Sequence, residues 1–412
     1  MPAQAAKLKL NTLELGRFIA ATVVVLTHII PDLNTLAAPG AAPLFGGHGA
    51  PGELGVCYFF VLSGFVMAYT HKEDFGHVGG ALRFWWRRAC RIYPIYWLAL
   101  LIPLHYLYSV ITTPKVLGLY LLSSFAGTPP TAFTLSRLLD LVLLSPFANT
   151  PWGTTELIPP AWTLRYELAF YLMLGMAMLP YIGKPLLAAW VALVFWHWLP
   201  VNILAFFNVP PPFLLNDGFV ALQGRADRFG TPLEFFFFAG LAAGWVFAKH
   251  PPGRLWGSLL ALAGAAGMAD LLPSIDYGTT QALPMPTLLE GVLLAMLIVG
   301  LGGLERAGVI RLGKWATVAG MISYPLYILH FPVLTMFDVH KATLHWALST
   351  GALYALGAAA LLGIYGLAAL ATYFFDQPVQ RGLRRLSRLV AGRVAGHRRG
   401  QTANAGLESS AP

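Results

Sequence analysis

Continuous apolar runs of about 18 residues or more recur along the chain, each closed by charge or by Pro and Gly. A run of that length is what an α-helix needs to cross a bilayer. The pattern predicts spans at 14–31, 52–70, 92–111, 162–180, 185–206, 231–248, 255–273, 286–303, 315–337 and 345–375. The last of these is long enough to tilt or break. Residues 112–147 are also apolar, but Pro114, Pro129, Pro130, Arg137 and Asp140 interrupt them. They read as a re-entrant segment or as two short spans. The fold class expected is therefore all-α, a polytopic membrane helical bundle of about ten transmembrane helices. An outer-membrane barrel is ruled out, because its strands would alternate apolar and polar positions instead of running continuously.

Composition agrees. The chain is 57% hydrophobic and only 11% charged, far outside soluble globular usage. Residues 7–30 resemble a signal peptide in having Lys7 and Lys9 ahead of an apolar run, but Glu14 and Arg17 interrupt the run and no small-x-small cleavage site follows directly. The stretch reads as a retained span. Two cysteines, Cys57 and Cys90, make no disulfide framework, and the topology puts them on opposite sides.

Charge sets the orientation. The formal net charge of +9 would suggest nucleic acid in a soluble protein; here it reads as loop charge facing anionic lipid. With the N-terminus inside, the inner segments hold twenty Lys and Arg and the outer ones five. That asymmetry places both termini in the cytoplasm, with an even number of crossings. The outer loops are rich in Pro, Gly and Asn. Residues 1–380 are expected to form one membrane domain, and 381–412 a basic, partly disordered cytoplasmic tail whose stretch 380–389 is amphipathic enough to lie on the inner leaflet.

Several polar residues then stand out against lipid. Arg17 and His28 are eleven residues apart in the first span, so they share one face about 16 Å apart along the axis. Glu14, one turn before Arg17, can pair with it. Charge on one face of a spanning helix marks either a site or, in the plainer reading, a cytoplasmic end and a packed histidine. Arg83, Arg87, Arg88 and Arg91 surround Trp85 and Trp86 at the entry to the third span. They suit polyphosphate and a purine, or equally a belt of interfacial Trp and Arg. Ser63-Gly64 permits close approach of a helix or an acyl chain. Glu167 is an intramembrane carboxylate, and Arg165, two residues away, points elsewhere. His330 lies at a depth comparable with His28. No HExxH, CxxC pair, Walker loop, dinucleotide fingerprint or serine-hydrolase elbow is present, and no metal is expected.

Taken together, these stretches resemble the acyltransferase 3 family of integral-membrane acyltransferases that modify bacterial surface glycans. Arg17-x10-His28 resembles its first-helix signature, and Gly55 to Phe65 its Gly-Val-Asp-x-Phe-Phe-x-x-Ser-Gly-Phe motif. Arg88-Ala89-Cys90-Arg91-Ile92-Tyr93-Pro94 matches Arg-x-x-Arg-Ile-Tyr-Pro. Trp162 through Tyr171 and Ser323 through His330 match two later motifs. Glu14 stands where the family commonly has Asp, and Cys57 replaces an Asp, which removes a carboxylate. An SGNH-type domain, frequent in the family, is not expected within residues 381–412.

The resemblance implies transfer of an acyl group, expected to be acetyl, from acyl-coenzyme A to a sugar hydroxyl of an exopolysaccharide, lipopolysaccharide or other glycan. The setting it implies is the bacterial inner membrane. Acyl-CoA (acetyl-CoA) would be a co-substrate, with no permanently bound cofactor. Arg87, Arg88 and Arg91 would hold the nucleotide, Arg17 the pantetheine region, and Glu14, Ser63 and Trp162 would complete the donor site. His28 would serve as general base or as acyl carrier, with Glu167 and His330 orienting it or the acceptor. Rival readings are a transporter or flippase of a glycan or lipid intermediate, with the charges as a path, and a non-catalytic sensor or scaffold.

Overall fold

The computed structural model describes residues 10–71, 73–112, 135–146, 157–206, 233–272, 285–344 and 346–389. Among them there are helices and no strand. In chain order they are α1 (Asn11–Asn34), α2 (Gly52–His71), α3 (Val78–Thr112), α4 (Leu135–Leu143), α5 (Trp162–Ala177), α6 (Gly183–Phe206), α7 (Leu233–Lys249), α8 (Arg254–Leu271), α9 (Met285–Arg306), α10 (Lys314–Leu344) and α11 (Thr350–Leu370). After α11 the chain runs through one π-helical turn, Ala371–Asp376, and stays helical over 377–389. The loop reading of 207–230 and most of 112–147 fall outside the described residues, as do the tail's last residues.

Five segments among the described residues are long and apolar enough to cross a membrane: Asn11–Asn34, Gly52–His71, Leu288–Arg306, Lys314–Phe337 and Thr350–Leu389. The exterior carries large apolar side chains such as Leu101, Trp245, Leu262 and Leu362, while Arg165, Glu234, Glu290 and His330 are buried. Polar inside and apolar outside is the arrangement that lipid selects. The protein is a multi-pass membrane protein.

Helices α1 and α10 form the axis of the bundle and run parallel. Asn11 accepts from Thr317 Oγ1 at 2.7 Å near their starts, and His28 meets His330 further along. α1 starts inside the protein, where its first N–H groups lack intrahelical partners. Glu305, in the last turn of α9, supplies them: its carboxylate accepts from Asn11 N and Thr12 N, both at 2.8 Å, and from Thr12 Oγ1 at 2.7 Å. A carboxylate there also suits the positive end of the helix dipole.

The closest helix pair is α2 with α7. Any Cβ at Gly64 would strike the Phe237 carbonyl, and one at Gly240 the Val61 carbonyl. Glycine is required at both positions, because the two backbones touch where side chains would normally separate them. The predicted packing role of Ser63-Gly64 is thus met by Gly64.

Two boundaries differ from expectation. The helix that carries the third expected span starts well before residue 92, at Val78, so Arg83, Arg87, Arg88 and Arg91 are helical rather than loop residues. The helix of the last expected span starts at Thr350 and passes at its end into the π turn. Residues 377–389 also pack on the protein: Gln380 Nε2 donates to Cys90 O and Trp86 Nε1 to Ser387 Oγ, each at 2.6 Å.

Candidate functional site

Helices α1, α2, α3, α5 and α10 enclose two adjoining chambers. The larger is a cleft of about 910 Å³ at the basic end of the bundle, walled by α1, α3, α10 and the helix 377–389. The smaller, of about 70 Å³, lies deeper and is lined by Ser63, Thr163, Glu167, Tyr171 and Tyr327 among others. Arg17, Arg88, Arg91 and Tyr324 line both and so form the neck between them. At that size the inner chamber holds a handful of waters, so an arm entering it must displace side chains.

Two of the basic residues at the neck have distinct supports. Arg17 pairs with Glu14 at 3.4 Å, as the spacing predicts. Arg88 Nη2 donates to His71 Nε2 at 3.0 Å. Guanidinium has no acceptor, so His71 carries its proton on Nδ1, which donates to Asp74 at 2.8 Å. Arg83 reaches the other Asp74 oxygen at 3.2 Å. Burial raises the Asp74 carboxyl, but the hydrogen bonds from His71 and Arg83 outweigh it and hold the group below its ordinary range. Arg88 also lies over the Phe84 and Tyr171 rings, 5.6 and 5.4 Å from their centroids. Arg87 lines only the outer cleft. His71, Asp74 and the tyrosines were not singled out from sequence; the His71/Asp74 spacing of one helical turn was the available signal.

Beyond the inner chamber lies a histidine pair. His28 Nδ1 is 3.3 Å from His330 Nε2, with ring centroids 5.2 Å apart. His28 Nδ1 also faces Val24 O at 2.9 Å, and His330 Nδ1 faces Leu326 O at 3.3 Å. Carbonyl oxygens only accept, which assigns the proton to Nδ1 of both rings. The single His28 N–H is then shared between Val24 O and, as the longer second acceptor, His330 Nε2, and His28 Nε2 keeps a lone pair with no hydrogen-bond partner among the described residues. His330 is fully buried and His28 partly exposed. An imidazole in this state can take a proton and share the resulting charge with its neighbour.

Three placements bear on the roles the resemblance implies. Arg17 and His28 share a helix face, but only Arg17 lines the chambers. The inner chamber stops at Tyr327, whose ring centroid is 6.2 Å from that of His330 and whose hydroxyl is held by Thr163 at 2.8 Å and by Pro160 O at 3.1 Å. Glu167 does not orient His28: Tyr171 donates its hydroxyl proton to Glu167, and the carboxylate belongs to the neck side of the inner chamber. Trp162 lines neither chamber and packs edge-on against Tyr166, 5.8 Å between centroids. Ser63 does line the inner chamber, 3.5 Å from the Tyr171 hydroxyl.

The missing carboxylate at position 57 has a counterpart in space. Cys57, on α2, is buried beside the buried carboxyl of Glu290, on α9. No sequence spacing could connect residues so far apart. Among the described residues no group of His, Cys, Asp and Glu is arranged to hold a metal ion.

Comparison with known proteins gives a consistent answer. The family described as "Acyltransferase domain", acyltransferase 3, matches residues 10–374. The exopolysaccharide production protein ExoZ of Rhizobium meliloti (strain 1021) is 27% identical over 370 residues, covering 86% of this chain and 98% of that protein. The acyltransferase MdmB of Streptomyces mycarofaciens is 27% identical over 307 residues, covering 69% of this chain and 68% of that protein. No solved structure matches.

Proposed function

The chain belongs to the acyltransferase 3 family, and from that premise we propose that it is an inner-membrane O-acyltransferase moving an acyl group from acyl-coenzyme A to a sugar hydroxyl. In this reading the basic end faces the cytoplasm, as the excess of Lys and Arg there favours. The donor's nucleotide occupies the outer cleft against Arg87, Arg88 and Arg91, whose planar forks suit phosphate. Arg17, at the neck, meets the start of the pantetheine arm. The rise of α1 from Arg17 to His28 is about 16 Å, a length the extended arm matches.

The observation that carries the reading is the His28–His330 pair, placed past the neck with one imidazole lone pair uncommitted. His28 Nε2 takes the proton of the acceptor hydroxyl as its oxygen attacks the thioester carbonyl carbon. The C–S bond then breaks, and the departing thiolate recovers that proton from the imidazolium. His330 Nε2, accepting from His28 Nδ1–H, disperses the charge while it exists. For the arm to arrive, the Tyr327 ring must swing aside, since it separates the chambers from the pair. ExoZ is named for exopolysaccharide production, which favours an exopolysaccharide hydroxyl as acceptor.

Mass spectrometry of surface polysaccharide from cells with and without the protein tests this directly. The reading expects an acyl-modified sugar that disappears with the protein. Identical spectra from both would reject it.

A further inference from the structure

The helix 377–389 is docked on the body of the protein. It continues α11 through the π turn and is fastened at three places: Gln377 Nε2 to Met321 Sδ at 3.6 Å, Gln380 Nε2 to Cys90 O at 2.6 Å, and Ser387 Oγ to Trp86 Nε1 at 2.6 Å. Single π turns are commonly retained at functional sites because they rotate the face that follows. Here the face that follows carries Arg384 and Arg388, one turn apart, into the lining of the outer cleft. Leu386 and Leu389 are exposed on other faces of the same helix.

Charge makes the cleft incomplete. Seven arginines line it against two carboxylates, Glu14 and Asp376. Glu14 is taken by Arg17, and Asp376 accepts from Gln380 at 3.5 Å. Among the described residues Arg87, Arg91, Arg384 and Arg388 have no ion-pair partner, and the buried Nε of Arg88 has no hydrogen-bond partner. So many like charges around one cavity repel one another unless an anion enters. The volume, about 910 Å³, is at the upper end of the small-molecule range. The positions are also divided: Arg17, Arg88 and Arg91 are at the neck, whereas Arg384 and Arg388, like Arg83 and Arg87 across the cleft on α3, line only the outer chamber.

We propose that the helix 377–389 is the outer wall of the donor site, and that Arg384 and Arg388 bind the donor phosphate remotest from the thioester, the 3′-phosphate of a coenzyme A-type nucleotide. This rests on the donor reading given above. The 3′-phosphate is a dianion on the ribose, away from the pyrophosphate that leads to the arm. Two guanidinium groups one helical turn apart offer it several charge-assisted hydrogen bonds. An anionic lipid headgroup presents the same chemistry, so the test separates the two sources.

Binding of coenzyme A and of 3′-dephospho-coenzyme A is measured by calorimetry on the full chain in phosphatidylcholine nanodiscs, with and without phosphatidylglycerol. The wild type prefers coenzyme A by about tenfold or more, and Arg384→Ala/Arg388→Ala loses that preference while still binding the dephospho compound. Arg384→Lys/Arg388→Lys keeps part of the preference, which guards against a variant that fails to fold. A preference that survives in the Ala variant overturns the assignment and leaves the donor reading standing. A preference that the Ala variant loses only when phosphatidylglycerol is present overturns it too, giving the arginines to lipid. A wild type that binds neither compound removes the donor reading and this proposal together.

Discussion

His330 presents its Nε2 to the Nδ1–H of His28 at 3.3 Å, from a helix more than three hundred residues away in sequence. The contact assigns His330 a positioning role: it shares with Val24 O the Nδ1–H that leaves His28 Nε2 free, and it receives part of the charge when that nitrogen is protonated. His330→Leu is expected to lower kcat about tenfold or more with the donor KM nearly unchanged. His330→Gln, whose amide oxygen can accept the same N–H, recovers part of the loss. Steady-state kinetics of the two variants check this, and equal kcat values for the pair would argue for packing alone.

The Arg88–His71–Asp74 chain should govern donor affinity. Asp74→Asn weakens both the His71 and Arg83 contacts, so the donor KM is expected to rise about three- to tenfold while kcat changes little. The pH dependence has a definite sign. Hydrogen bonding holds the folded Asp74 carboxyl below its ordinary value of 3.8, so its contribution is complete above that value and is lost as pH falls through the lower folded one. Donor affinity in wild type should therefore not lose the Asp74 contribution at pH 5, which titration of binding against pH will show.

Tyr327 separates the inner chamber from the histidines and is tethered through its hydroxyl. Tyr327→Phe removes both tethers and keeps the ring. Its kcat is expected within about threefold of wild type, or above it if ring motion limits turnover. Tyr327→Trp, too large to swing in so packed a place, should lower kcat by at least about tenfold. Single-turnover measurements separate this step from donor binding.

At the α2–α7 contact, Gly64→Leu forces apart backbones that touch. Overpacking of that kind costs about 1–3 kcal/mol, more where backbone must move. The variant is expected to show a lower thermal midpoint in detergent and a reduced folded yield, both readable by fluorescence-detected size exclusion on heating.

Much of this was legible in the sequence, because lipid imposes its own pattern. Length and continuity of apolar runs revealed the helices, and the Arg17/His28 spacing and the Glu14–Arg17 pair followed from helix geometry. The His28–His330 contact was open to anticipation only as a shared depth, since crossing partners depend on packing that no local pattern encodes. Glu167 misled for the same reason: a carboxylate within a span signals a cavity but not which one, and Tyr171, one turn on in the same helix, holds it on the neck side. The π turn was hidden because its residues, Ala371 to Asp376, have no distinctive composition. The role of Glu305 at the start of α1 and of Glu290 beside Cys57 needed coordinates, as both join helices far apart in the chain.

The account stands most directly on transfer of a labelled acyl group from acyl-coenzyme A by the purified protein, wild type against His28→Ala. It predicts a loss of about 10²–10⁴-fold in kcat, the range of a positioned general base, with donor binding retained because Arg17, Arg88 and Arg91 are untouched. Wild-type transfer that persists undiminished in a folded His28→Ala protein would contradict it.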